Sequence, residues 1–193
     1  MKEMDRRVRR TRARLEEAML KLLGEKELQS ITIQELTRLA DVNRGTFYAH
    51  YRDLFDLVDQ MEEELFQRLE ELLGAHAVGE LREGLTGLLT DVFRFVRDDP
   101  AIRLAVTDPR SRDLFFWRLN QLIVRKCRED WQGLYLPRDE ALWGSCLDFL
   151  VSGSVGLVRG WLARGCPESP EEMAALANRM ILGSLSPLAE HRK

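Results

Sequence analysis

Cysteine and histidine are scarce in this chain of 193 residues, with three of each. Cys127, Cys146 and Cys166 cannot all pair with one another, and none stands in a Cys-x-x-Cys pair or at metal-ligand spacing from a histidine. The sequence therefore predicts no disulfide framework and no metal site, with the thiols reduced and buried; an oxidant-sensing thiol would need an exposed, electropositive setting. His50, His76 and His191 are scattered, and neither a Gly-rich phosphate loop nor a nucleophile motif accompanies them. Neither catalysis nor a cofactor is expected, His76 reads as a solvated loop residue, and the acidic run Glu62 to Glu64 reads as a wet helix face. No run resembles the roughly 18 uncharged apolar residues of a membrane span. Arginines stand where a signal peptide would be apolar, so the expected compartment is the cytoplasm and no membrane partner is expected.

What is present has the composition of a globular protein: 45% hydrophobic and 32% charged residues, enough to build a core without staples. The net charge of −3 argues neither for nor against nucleic acid, but its distribution is uneven. The first 52 residues hold 12 Lys/Arg against 8 Asp/Glu, whereas the rest hold 17 against 24. Lys2, Arg6, Arg7, Arg9, Arg10, Arg12 and Arg14 concentrate the excess into an arm able to follow a phosphate backbone, while the acidic remainder would be repelled by it.

Strand signals are few, with no sustained period of two and no Asn-Gly or Asp-Gly turn. Helical spacing dominates. Leu15, Met19, Leu22 and Leu23 mark a first helix that Gly24 can end. Thr32-Ile33-Gln34-Glu35 is a capping box opening a second, short helix whose inward face is Leu36, Leu39 and Ala40. Asp41-Val42-Asn43 breaks it, and Asn43 can cap a third helix from Arg44 to about Tyr51. Asp53 caps a long fourth helix, with Leu54, Leu57, Val58, Met61, Leu65, Leu69 and Leu72 at spacings of three and four, as far as Gly74. Further helices are predicted over Leu81 to Val96, Ala101 to Val106, Ser111 to about Trp131, Arg138 to Leu162, and Pro170 to about Leu185. Ser169 is the expected cap of the last, with Pro170 at its first position.

Two short helices joined by a tight turn, the second opening with small and polar residues, have the layout of a helix-turn-helix. The predicted DNA-binding residues are Thr32, Asn43, Arg44, Gly45, Thr46, Tyr48, His50 and Tyr51. Arg44 and Thr46 can reach base edges in the major groove, arginine being suited to a bidentate contact with guanine. Gly45 leaves room for close approach. Phe47 points into the core about one turn from Tyr51, while Tyr48 and His50 can hold phosphate oxygens.

On these residues the chain resembles the TetR family of bacterial regulators, matching its pattern at Thr32, Leu36, Ala40, Val42, Gly45, Thr46, Phe47, Tyr48, His50 and Tyr51, and at Arg14, Leu15 and Ala18 in the first helix. Two positions depart from the pattern. Asp41 stands where the family commonly has glycine, and aspartate tolerates a left-handed backbone better than most residues. Leu54 stands where the family usually has a lysine near a DNA phosphate, so affinity and salt dependence are expected to be modestly weaker. The segment Phe149 to Leu162, with Gly165 and Pro167-Glu168-Ser169-Pro170, resembles the C-terminal domain of Firmicutes-type members.

The resemblance implies an all-α protein. A three-helix DNA-binding domain, residues 1–52, would be joined by a long helix to a helical bundle, residues 53–193, that senses a ligand and forms a homodimer. Ser152, Gly153, Gly156 and Gly160 are the expected dimer face, since glycine inside a helix costs about 1 kcal/mol and close approach of another helix is a reason to keep it. Phe93, Phe116, Trp117 and Trp143 are the candidate lining of a pocket for a small apolar or aromatic ligand, in helices that enclose a ligand cavity in the family. The expected function is repression from a palindromic operator in double-stranded DNA, released by a ligand. The competing expectation is a protein-interaction module with the same fold that has lost operator binding.

Overall fold

The computed structural model describes residues 2–76, 85–102, 109–129 and 140–190. Among these residues every regular element is helical: α1 (Lys2–Glu25), a 3-10 turn (Leu28–Ser30), α2 (Ile33–Ala40), α3 (Arg44–Tyr48), α4 (Leu54–Gly74), α5 (Thr86–Asp98), α6 (Pro109–Glu129), α7 (Glu140–Ala163) and α8 (Pro170–Glu190). The chain divides into two compact units, Met1–Leu65 and Phe66–Lys193. The division falls inside α4 rather than after residue 52. Leu54 and Leu57 are buried in one cluster with Leu15, Met19, Leu36 and Phe47, and Val58 and Met61 pack against it. The first turns of α4 thus complete the N-terminal core.

In the first unit, Leu15, Ala18, Met19 and Leu22 recur at three and four residues and form the buried stripe of α1. This helix starts at Lys2, so the arginine-rich segment is helical. The predicted capping box closes the start of α2: the Thr32 hydroxyl accepts from the Glu35 N–H, and the Glu35 carboxylate accepts from the Thr32 N–H at 3.0 Å. Asp41 ends the helix in the left-handed region (φ 52, ψ 52), and the Val42 N–H then closes onto the Thr37 carbonyl. Asp53 Oδ1 accepts from the Asp56 N–H at 2.8 Å and caps α4 as predicted.

In the second unit α8 packs chiefly on α5, and α6 on α7. Phe66 meets Phe115 at 5.5 Å between centroids, joining the C-terminal part of α4 to α6. Trp161 is fully buried, edge-on to Phe93 at 5.2 Å, and its indole N–H donates to the Glu168 carbonyl. Gly165 (φ 78) and Cys166 (φ 56) turn the chain out of α7. Ser169 and Glu172 then form a second capping box, with Pro170 at the first helical position.

Several expectations need correction. His76 is not a solvated residue: its Nε2 lies 3.1 Å from Asp91 Oδ2 and its side chain is mostly covered. Glu64 is more than a wet helix face, since it pairs with Arg12. One stretch of α7, Gly144–Ala163, is long and apolar enough to cross a membrane by length and composition, although Asp148 and Arg159 interrupt it. Of the cysteines only Cys127 is buried, and burial pushes its thiol up to about 12, which leaves it unreactive near neutrality. Trp131 and most of the predicted helix Ala101 to Val106 lie outside the described residues.

Candidate nucleic-acid interface

The second helix of the helix-turn-helix is fixed from both ends. At its start Asn43 Oδ1 accepts from the Thr46 N–H at 2.7 Å and from the Thr46 hydroxyl at 2.9 Å. At its base Phe47 is fully buried, edge-on to Tyr48 and 5.8 Å from Tyr51. A short helix pinned in this way holds its outward residues steady, which groove recognition requires. Those residues are Arg44 and Gly45, exposed in the first turn, and Tyr48, which is 51% exposed, with Thr46 and His50 half-buried beside them.

Gly45 has a role that its sequence position does not reveal. A Cβ there would lie 3.3 Å from Asn43 Oδ1, so a side chain would press on the cap of α3. Thr32 is exposed, but its hydroxyl already accepts from the Glu35 N–H and donates to the Glu35 carboxylate, so the helix cap uses most of its hydrogen-bonding capacity.

Tyr51, expected at the DNA surface, lies in the core instead. It is only 2% exposed, and its hydroxyl accepts from Arg12 Nε at 3.2 Å and donates to Glu16 at 3.3 Å. Burial raises its phenol to about 12. A side chain so enclosed cannot reach a phosphate, and Tyr51 is a core residue. Arg12 likewise leaves the predicted phosphate-binding arm. Its guanidinium donates to Tyr51, Gln60 and Glu64, tying α1 to α4. Arg14 donates to Asp41 at 2.6 Å, in the turn that leads to α3. Leu54, at the family's lysine position, is 9% exposed and belongs to the core. Arg38, in the last turn of α2, and Arg52, just before α4, are exposed cations that the motif reading passed over. Arg52 pairs with Asp56 at 3.1 Å.

In the second unit a cavity of about 130 Å³ is lined by Leu73, Leu88, Phe93, Leu119, Val155 and Ala177, among others. Phe93 stands in that lining as expected. Phe116 does not: it is buried between Phe115 and the guanidinium of Arg159, against the α7 side of α6. Trp117 is 59% exposed, because its position on α6 points it outward, away from the lining. The side chain of Trp143 lies outside the described residues. Aromatic content was a poor guide because the cavity wall is mainly aliphatic.

Residues 83–183 match the model of the TetR-type transcriptional regulator C-terminal region, which is more than half of the chain. The chain belongs to the TetR family of transcriptional regulators. A stretch of 61 residues is 44% identical to the HTH-type transcriptional regulator YxbF of Bacillus subtilis (strain 168), covering 31% of this chain and only 16% of that relative. The fold is shared with solved regulators at low identity. The activator of the dihydroxyacetone kinase operon, DhaS, superposes with a TM-score of 0.66 at 16% identity, over 92% of this chain and 97% of its own. A TetR regulator of Streptococcus agalactiae 2603V gives 0.64 at 20% identity, over 92% and 97%. SmeT, the repressor of a multidrug efflux pump of Stenotrophomonas maltophilia, gives 0.65 at 16% identity, over 90% and 89%. One of these is named an activator and another a repressor, so the TetR fold does not by itself fix the sign of regulation.

Proposed function

We propose that this TetR-family protein is a homodimeric repressor that reads a palindromic operator through α3 and releases it when a small uncharged ligand enters the helical body. The observation that carries this reading is the capped, core-anchored α3, which presents Arg44, Gly45, Thr46 and Tyr48 outward. Arg44 supplies the guanidinium for a guanine edge, and Tyr48 and His50 supply donors for phosphate oxygens. Two such helices, one per protomer, would enter successive major grooves about 34–36 Å apart.

Support for the dimer comes from α7. Ser152, Gly153 and Gly156 are exposed, and a Cβ built on Gly153 or Gly156 would meet nothing within 4 Å, so no neighbour in the described chain accounts for these glycines. Gly160 is half-covered, next to Arg164. Phe149 on α7 is 70% exposed and Met180 on α8 is 58% exposed, apolar surface that a second copy would cover. Support for a ligand comes from the cavity. Cys127 and Ser154 bring the heteroatoms to its described side-chain lining, and the Ser154 hydroxyl is already donated to the Leu150 carbonyl. Walls of this kind favour an apolar occupant, and a volume of this order suits one of about benzene size. α4 carries Leu57 in the first unit's core and Leu73 in the cavity wall, so a ligand that favours one tilt of α4 would change the spacing of the two α3 helices.

The deciding experiment is fluorescence anisotropy on the region upstream of the protein's own gene, with every base pair of the bound site replaced in turn. Arg44→Ala is expected to flatten the preference at one base pair of each half-site by about 1–3 kcal/mol. Unaltered preference in that variant would remove α3 as the reading helix, and no saturable binding at low salt would leave the interaction module.

A further inference from the structure

α7 borders two cavities that share a single leucine. Leu147, Val151 and Ser154 recur at helical spacing and face the aliphatic cavity of about 130 Å³. Cys146 and Phe149 stand on the neighbouring side of the helix, where with Ser145, Leu150 and Ser184 they line a second cavity of about 210 Å³. Leu150 belongs to both linings and is half-buried between them. α8 makes the same passage within one turn, since Ile181 lines the inner cavity and Ser184, three residues on, lines the outer one. Together the two volumes reach the lower end of the range that small-molecule sites occupy.

The two cavities differ in chemistry. Apart from the Cys127 thiol and the Ser154 hydroxyl, which is donated to the Leu150 carbonyl, the described side-chain lining of the inner one is hydrocarbon. The outer one brings together two hydroxyls and the Cys146 thiol, with no charged side chain in its described lining. The Ser184 hydroxyl donates to the Met180 carbonyl at 2.8 Å, which leaves its oxygen able to accept from a donor in the cavity.

We infer that the two cavities form one bipartite site for a neutral single-chain amphiphile. Its hydrocarbon tail lies in the inner cavity, its head, an alcohol or amide, donates to Ser184 in the outer one, and the Leu150 side chain is the gate between them. This rests on the reading of the inner cavity as a ligand site. An ionised head is disfavoured, because no countercharge in the described lining offsets its loss of water. The chain is unbranched where it passes the gate, since moving one leucine opens only a narrow neck. Phe149, which a second copy would cover, walls the outer cavity, so the head would lie at the edge of that contact.

The test is titration calorimetry of the full-length protein with benzene, a probe of the inner cavity alone, and 1-octanol, a probe of both. Octanol is expected to displace benzene and to bind more tightly than octanoate. Cys146→Phe fills the outer cavity without belonging to the inner lining. Octanol should then bind about fourfold more weakly for each methylene returned to water, with benzene affinity unchanged. Ser184→Ala should weaken octanol by about fivefold and leave benzene alone. Retained benzene binding shows in each variant that the body remains folded. Octanol affinity indifferent to both substitutions would place the whole molecule in the inner cavity, overturning the inference and leaving the ligand reading intact. Octanol that binds without displacing benzene would make the outer cavity a separate site, which also overturns it. Octanol bound only by monomer in sedimentation velocity would mean that a second copy fills the outer cavity, with the same result. Binding of neither probe overturns both the inference and the ligand reading. No DNA is present, so the reading of α3 stands or falls separately.

Discussion

The N-terminal unit and the helical body differ in how completely each satisfies itself. In the first unit the principal polar groups near the core have partners within the unit. Tyr51 is held by Arg12 and Glu16, Arg12 by Glu64, and each of α2, α3 and α4 opens on a side-chain cap. In the body, by contrast, a cavity of about 130 Å³ sits among aliphatic side chains. A unit that must present a few side chains to a groove gains from rigidity. A unit that must respond gains from a packing deficit, because the occupant of that deficit then shifts an equilibrium.

The strongest way to break this contrast is at Trp161, the best-packed large side chain of the body, with no measurable exposure and its indole N–H bonded to Glu168. Trp161→Ala is expected to lower stability by about 3–5 kcal/mol, as for other large-to-alanine changes in cores. Urea denaturation checks it. A loss below about 1 kcal/mol would mean that the body is loosely packed throughout, and the cavity would lose its meaning as a local deficit.

A gentler and more discriminating comparison adds volume to both units. Ala177 of α8 is 3% exposed and lines the cavity, whereas Ala40 of α2 is 4% exposed within the core of the first unit. Ala177→Leu should raise the melting temperature and weaken any protection given by benzene or a similar apolar probe. Ala40→Leu should lower stability by about 1–3 kcal/mol through overpacking. Opposite signs in differential scanning fluorimetry sharpen the contrast; the same sign in both would erase it.

The first unit was also the more legible in sequence, and for the same reason. Its caps, Thr32 with Glu35, Asn43 with Thr46 and Asp53 with Asp56, are three-residue relationships that a sequence displays directly. The left-handed turn at Asp41 follows from the side chain that occupies it. Two errors there concern long-range partners. Arg12 meets Glu64 from 52 residues away, so its capture could not be seen in an arginine-rich run. Tyr51 did carry a signal, since it lies four residues beyond the buried Phe47 and therefore on the same face. Its polar tip suits a phosphate, but burial against Arg12 and Glu16 takes it out of reach. In the body, Phe93, Phe116 and Trp117 have similar side-chain chemistry, yet one lines the cavity, one is buried beside Arg159 and one faces outward. Helix rotation decides among them, and rotation depends on which neighbours pack, information that no local spacing contains.

The smallest expected effect is read with acid and lies within the first unit. The Lys26 ammonium and then Thr32 donate to Glu35, and the first unit holds this carboxyl at about 2, against 4.5 for the free side chain. Asp56, bonded to the backbone and guanidinium of Arg52, is likewise held at about 2 against 3.8. Both groups bind a proton more weakly in the folded state than in the unfolded chain. Their contributions are therefore complete above the unfolded values and fade as the pH falls from about 4.5 toward 2. Glu35→Gln should thus cost stability at neutral pH, with the deficit relative to wild type closing over that window and vanishing near its lower end. Urea midpoints measured at intervals from about pH 7 to about 2 read this directly. A deficit constant across the range would mean that the capping box acts through geometry alone, and that the charge held between Lys26 and Thr32 adds nothing to the rigidity of the first unit.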